Sequence, residues 1–287
     1  MDWVERLNSS INYIEEHLTD KIDMDEVSRI ACCSAFHFQR MFSYISEVPL
    51  SEYIRRRKMT RAAFDLQNGN EKVIDIALKY GYDSPTAFNR AFQSIHGFAP
   101  SVAKQAGVVL KAFPPISFKI TIKGDAEMNY RIEKKEAFKI VGVKEHYIIN
   151  IEENFAGIPQ FWQKTAQSGV IPEICALSDR EPYGVLGIST CMNGKDFDYY
   201  IAVATNRETP EKMAEYIVPE CTWAIFECIG ALPSAIQSLQ KRIVSEWLPA
   251  SGFEYADAPD IEVYFEGDQR ADDYRCEVWL PVVKKNK

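Results

Sequence analysis

One nine-residue pattern occurs twice near the N-terminus, fifty residues apart: Ser34-Ala35-Phe36-His37-Phe38-Gln39-Arg40-Met41-Phe42 and Ser84-Pro85-Thr86-Ala87-Phe88-Asn89-Arg90-Ala91-Phe92. Ser, Phe, Arg and Phe recur at the same offsets. Each copy reads as a short helix begun by a capping serine, and Pro85 suits the first helical position of the second. Phe38, Met41, Phe42 and Ile45 fall on one stripe at helical spacing, and Phe36, Gln39, Arg40 and Ser43 on another. In the second copy Phe88, Ala91, Phe92 and Ile95 form the apolar stripe, opposite Thr86, Asn89, Arg90 and Gln93. A repeated helix with one apolar and one polar face is what a tandem helix-turn-helix reader of DNA requires.

The segments around the copies fit that architecture. Asp23 starts a helix, with Glu26 placed to reach back to it. Between the copies, residues 51–66 read as a helix carrying Arg55, Arg56, Arg57, Lys58 and Arg61. At about 1.5 Å per residue, such a rod with its flanking helices could hold two readers about 34 Å apart, one DNA turn. Two successive major grooves would then be in reach. Arg40 can donate twice to a guanine edge, Gln39 and Asn89 can pair with adenine, and Phe36 or Thr86 can touch a thymine methyl. Arg55 and Arg57 are suited to phosphate, or to bridging helices.

Charge supports a basic module at one end. The chain carries a net −8, yet residues 29–112 hold 12 Lys and Arg against 6 Asp and Glu. Phosphate binding is therefore expected there and not in the acidic remainder. No apolar run reaches membrane-spanning length, and the start lacks a signal peptide's basic and apolar regions, so a cytoplasmic protein is expected. Seven scattered cysteines (Cys32, Cys33, Cys175, Cys191, Cys221, Cys228 and Cys276) fit reduced thiols. With no CxxC pair and four histidines, neither a metal nor a cofactor is expected.

The texture changes after residue 107. Gly107–Phe113 and Ile116–Ile122 are β-rich and flank Pro114-Pro115, which predicts a hairpin-like bridge over 108–128. Beyond it the order is strand (129–134), strand (138–146), helix (154–167), strand (183–190), strand (197–205). It then repeats: strand (214–218), strand (222–229), helix (232–248), strand (260–266), strand (275–283). Two ββαββ-like halves imply an antiparallel sheet with helices on one face and a groove on the other. The expected organisation is multi-domain: an all-α tandem helix-turn-helix domain (1–107), the bridge (108–128) and an α+β domain (129–287). Tyr147, Trp162, Trp223, Phe226, Tyr264, Trp279 and Glu277 are candidates for the groove. Period two puts Glu277 on the face of Arg275 and Trp279. A carboxylate among aromatic walls attracts organic cations.

These residues carry two resemblances. Residues 5–107 resemble the DNA-binding domain of the AraC/XylS regulators, especially the MarA/SoxS/Rob branch. The stretches are His37-Phe38-Gln39-Arg40-Met41-Phe42, Tyr53-Ile54-Arg55-Arg56-Arg57-Lys58-Met59-Thr60, Tyr80-Gly81-Tyr82, Arg90-Ala91-Phe92 and Gly97-Phe98-Ala99-Pro100. The resemblance implies base reading by Phe36, Gln39 and Arg40, and by Thr86, Asn89 and Arg90. Phe36 replaces the branch's usual Trp, and Cys32 stands at a turn position where the family usually has Gly. Residues 128–285 resemble the GyrI-like small-molecule-binding domain of BmrR and Rob. The stretches are Tyr130-Arg131-Ile132-Glu133, Phe138-Lys139-Ile140-Val141-Gly142, Trp223-Ala224-Ile225-Phe226-Glu227, Ile261-Glu262-Val263-Tyr264 and Cys276-Glu277-Val278-Trp279-Leu280-Pro281. It implies a pocket between the halves with Glu277 at its acidic position and Trp223 and Tyr264 among its walls.

The leading expectation is a ligand-responsive transcription regulator, an activator and not an enzyme, with duplex DNA, a small effector and RNA polymerase as partners. Two alternatives stand beside it. One is a constitutive DNA-binding protein whose second domain binds another protein. The other is a domain with residual hydrolase activity on electrophiles, using Glu277 with Tyr147 or Tyr264.

Overall fold

The computed structural model describes residues 3–285 apart from 70, 106, 120–126, 149–150 and 191–195; for 148 and 151–156 only the backbone is described. Cys191 and the second half of the expected bridge lie outside the described residues. The helices of the first part are α1 (Trp3–Glu16), α2 (Met24–Ala31), α3 (Ala35–Ser46), α4 (Leu50–Asn68), α5 (Val73–Lys79) and α6 (Pro85–His96). Residue contacts divide the chain into two compact units, Met1–Ala31 with Val48–Lys119, and Cys32–Glu47 with Ile120–Lys287. The helix of the first repeat copy, α3, is thus grouped with the sheet.

The first unit is helical. In α1, Trp3, Leu7, Ile11 and Ile14 recur at helical spacing and are buried. Asp23 caps α2 by accepting from the Asp25 amide at 2.9 Å. Glu26, expected to complete a capping box, instead takes Arg29 one turn on, at 2.7 Å. The core around α4, α5 and α6 holds Met59, Ala62, Ala63, Leu66, Ile76, Tyr80, Phe88, Phe92 and Ile95. The stripe expected in the second copy, with Ala91 at its margin, is this core face.

The expected hairpin-like bridge differs in the structure. Gly107 is a turn residue, and described residues 108–119 form no strand or helix. Their amides bond to helix side chains instead: Lys111 to His96 Nδ1, Phe113 to Thr60, Ile116 to the Tyr53 hydroxyl and Phe118 to Asn8 Oδ1. Pro114 and Pro115 lack the donors that a two-stranded ladder needs, so the backbone here finds other acceptors.

The second unit contains β1 (Tyr130–Lys135), β2 (Phe138–Ile148), α7 (Ile151–Gln167), α8 (Val170–Cys175), β3 (Val185–Ser189), β4 (Asp196–Ala204), β5 (Ala214–Val218), β6 (Cys221–Ile229), α9 (Ser234–Arg242), β7 (Phe253–Tyr255), β8 (Asp260–Tyr264) and β9 (Arg275–Lys284). A π turn, Ile243–Trp247, extends α9. The strands form one antiparallel sheet in the order β1-β6-β9-β8-β3-β4-β2-β5, with β7 beside β9. The two ββαββ halves are present, and each lends its first strand to the other: β1 pairs β6 and β5 pairs β2. One sheet face buries Leu186, Ile188, Tyr200, Trp223, Ile225, Ile261, Val263 and Trp279. The opposite face carries Tyr199, Ile201 and Phe197, which pack with Phe36 of α3 and with Ile158, Phe161 and Trp162 of α7.

Candidate functional site

A cavity of about 490 Å³ lies on the helix-covered face of the second unit. Strands supply Gly187, Ser189, Phe197, Tyr199, Asp260, Glu262 and Tyr264, and α7 supplies Ile158, Pro159 and Trp162. From α9 come Ile236, Gln237 and Gln240, and from α3 come Phe36, Gln39, Arg40 and Tyr44. The volume and the mostly apolar lining suit a small organic molecule.

Glu262 is the acidic centre. Period two along β8 places Asp260, Glu262 and Tyr264 on one face. Glu262 Oε2 accepts from the Tyr264 hydroxyl at 2.8 Å and the Tyr199 hydroxyl at 3.4 Å. Its Oε1 accepts from Gln240 Nε2 at 2.6 Å and from Arg40 at 3.4 Å. Trp162 Nε1 donates to the Tyr199 hydroxyl at 3.0 Å, so indole, phenol and carboxylate form one chain. Gly187, opposite Glu262 on β3, makes room for it. A Cβ there would stand 2.3 Å from the Tyr199 hydroxyl and 3.2 Å from Glu262 Oε2. Burial first, then the Glu262 charge, pushes the Tyr199 and Tyr264 hydroxyls well above the usual phenol range. Both phenols remain donors.

The helix α3 forms the other wall. Its start is fixed by Ser34, which accepts from the His37 amide at 3.2 Å. Arg40 donates to Asp260 at 3.0 Å, and its guanidinium lies 5.6 Å from the Tyr44 ring centre and 6.0 Å from that of Phe36. Burial opposes that charge, yet Tyr44, Asp260 and Glu262 outweigh it and hold Arg40 cationic. The Tyr44 hydroxyl donates to Gln240 at 2.5 Å. His37 stacks on Tyr255 at 4.1 Å, with Nε2 3.6 Å from Asp260. Asp260 is buried, which alone would raise its carboxyl; His37 and Arg40 outweigh this and hold it below the usual carboxylate range.

The candidate groove residues divide between the two faces. Trp162 and Tyr264 line the cavity, and Tyr147 belongs to the aromatic cluster beside it, stacked on Phe197 at 5.4 Å. Phe226 packs against Trp247 instead, at 4.9 Å. Trp223 and Trp279 lie in the core of the other face, 6.0 Å apart. Glu277 is also on that face, paired with Arg131 at 2.8 Å and accepting from Trp279 Nε1 at 2.8 Å. It lines a separate hollow with Arg131, Ile225 and Glu227. The expected parity of Glu277 with Trp279 is present, but the helices cover the alternate residues, so Glu262 and not Glu277 meets the main cavity. Glu277 and Tyr264 are therefore not brought together. Tyr199, an aromatic groove candidate from the sequence, lines the cavity. Sequence reasoning passed over Asp260, Gln240 and Tyr44, whose joint signal is visible only once the strands pair.

The candidate DNA readers divide as well. Phe36, Gln39 and Arg40 line the cavity, and Ser43 is buried, its hydroxyl bonded back to the Gln39 carbonyl at 2.9 Å. On α6, Thr86, Arg90 and Gln93 are exposed and Asn89 is half-buried. Among the described residues none bonds to or pairs with Arg90. Arg57 is committed to Glu15 at 2.7 Å, and Arg55 to Glu52.

Comparison with known proteins places both parts of the chain. The GyrI-like small molecule binding domain matches residues 128–283, and a helix-turn-helix domain family matches residues 27–106. The transcriptional activator AarP of Providencia stuartii is 42% identical over 90 residues, 31% of this chain and 67% of AarP. The right origin-binding protein of Escherichia coli is 23% identical over 98% of this chain and 99% of its own length. The solved structure of SAV2435 bound to tetraphenylphosphonium is 26% identical, with a TM-score of 0.51, over 54% of this chain and 94% of that one.

Proposed function

From a chain that belongs to the GyrI-like small molecule binding family and joins that domain to an AraC-type helix-turn-helix region, we infer a ligand-responsive transcription activator. Its proposed parts are a DNA-binding domain over 1–107 and an effector domain over 129–287. The effector is a small aromatic cation. The observation that carries this reading is Glu262, ringed by Tyr199, Tyr264 and Trp162 inside a 490 Å³ cavity. A carboxylate attracts the charge and the aromatic walls take the body of the ligand. SAV2435, which binds tetraphenylphosphonium, supports this ligand class. AarP, an activator similar to the helical part, supports the sign of regulation. RNA polymerase is the proposed protein partner. Thr86, Asn89, Arg90 and Gln93 of α6, and Phe36, Gln39 and Arg40 of α3, are the proposed base readers.

The test is a fluorescence titration of the full chain with tetraphenylphosphonium and with neutral triphenylphosphine oxide, read through Trp162. Saturable binding of the cation, weakened about tenfold or more in Glu262→Gln and unchanged in Glu277→Gln, is expected. Equal binding of the neutral compound, or equal loss in both variants, would contradict the assignment of Glu262.

A further inference from the structure

We propose that Arg40 is a tethered counter-ion of the effector cavity, and that a cationic ligand takes its place on Glu262 and frees α3. This rests on the reading of the cavity as a cation site and of α3 as a DNA reader, and it adds how the two are coupled.

Arg40 already meets the description of the ligand. Its guanidinium is a delocalised cation held by two carboxylates, Asp260 at 3.0 Å and Glu262 at 3.4 Å, with the Phe36 and Tyr44 rings beside it. A cation brought to Glu262 would compete with Arg40 for that carboxylate and stand beside a like charge, while Asp260 can balance only one of the two. Ligand and Arg40 therefore compete for Glu262. Phe36, Gln39, Arg40 and Tyr44 all come from one face of α3, so moving Arg40 out takes that wall of the cavity with it.

The same side chains link the cavity to DNA. A guanidinium engaged with Asp260 and Glu262 cannot at the same time donate to a guanine edge, and Phe36 packed 5.3 Å from Phe197 cannot reach a base. With α3 in the cavity, the chain has one free reading helix, α6. Once released, it has two. The ligand needs no contact with DNA: its preference for the state lacking Arg40 is the coupling free energy.

The seat of α3 is incompletely bonded. His37 Nε2 and Asp260 Oδ1 are buried and face each other at 3.6 Å, beyond hydrogen-bond distance, and neither has a hydrogen-bond partner among the described residues. Solvent would complete the hydrogen bonding of both on release, which offsets part of what the docked ion pair contributes. At the rim, Glu47 pairs with Lys241, both well exposed, and such a pair holds weakly.

The experiment is hydrogen–deuterium exchange by mass spectrometry on the full chain, following amides 35–46, with tetraphenylphosphonium as the probe. Exchange in α3 is expected to rise about tenfold on adding the cation, and several-fold without it in Asp260→Asn. Retained protection of β8 and β9 shows that the variant is folded. In parallel, Arg40→Gln is expected to bind tetraphenylphosphonium about tenfold more tightly than wild type, because the competing state is lost. Exchange in α3 that stays level or slows on binding, or equal affinity in Arg40→Gln, would overturn the proposal. A wild-type chain and an Arg40→Gln variant that both fail to bind the cation would sink the cation reading of the cavity. The exchange of Asp260→Asn alone would then decide whether Arg40 and Asp260 hold α3, an unchanged rate counting against it.

Discussion

The helices α3 and α6 carry the same pattern and end in opposite circumstances. Each is capped by a serine, each buries two phenylalanines at matching offsets, and each presents an arginine four residues after its second position. Yet Arg40 is held by Asp260 and Glu262 in the wall of a cavity, whereas Arg90 stands exposed. The apolar stripe decides that a helix forms and which side is buried. What meets the polar side is decided elsewhere, by β8, where Asp260 and Glu262 supply carboxylates at the right spacing for one guanidinium. Two equal motifs thus acquire different duties from their surroundings.

The largest effects should fall on what the two helices share. Phe42 and Phe92 are both fully buried, and each changed to Ala should cost about 3–5 kcal/mol in urea unfolding. Markedly unequal losses would show that the two apolar stripes are not equivalent.

The arginines should then separate the helices. Arg40→Ala leaves Asp260 and Glu262 without their cation and should cost about 3 kcal/mol. Arg90→Ala should lie within about 0.5 kcal/mol of wild type. An equal cost at both would break the comparison. Of the two helices, α3 is the one whose seat acid should loosen. The Asp260 carboxyl is held below its ordinary range by His37 and Arg40 against the pull of burial. A depressed folded pKa contributes stability that is complete above the unfolded value, near pH 4, and is lost as pH falls through the folded one. Stability measured against pH should therefore fall more steeply below about pH 4 in wild type than in Asp260→Asn.

The turns before the two helices should differ by less. Cys32 sits at φ 53° and Gly81 at φ 79°, both in the left-handed region. A side chain there costs about 1–2 kcal/mol, which glycine avoids. Cys32→Gly should stabilise by about 1 kcal/mol, and Gly81→Ala should destabilise by a similar amount, read from thermal midpoints. No gain at Cys32 would mean that its side chain offsets the strain.

Much of the fold was legible because its signals are local. Ser84-Pro85 announces the start of α6, the Phe88 and Phe92 spacing its buried face, and the order of elements the two halves of the sheet. The exchange of β1 and β5 between halves was not legible, because strand pairing is a non-local choice that no stretch of sequence encodes by itself. The acidic position shows the same limit. Alternation along β9 tells that Glu277 shares a face with Trp279, and alternation along β8 that Glu262 shares one with Tyr264. Which face receives α3, α7 and α9 depends on the curvature and connections of the whole sheet. The seat of α3 was hidden for another reason: its sequence matches that of α6, so nothing in the helix itself marks one copy for the cavity.

The central claim, that a cation in the cavity controls DNA binding, is tested most directly by one titration. A fluorescent duplex, selected from a random library by the full-length chain, would be titrated with that chain and followed by anisotropy, with and without saturating tetraphenylphosphonium. DNA binding about tenfold tighter with the cation is expected, with no such gain in Glu262→Gln. Unchanged DNA affinity in a chain whose cavity is filled by the cation would contradict it.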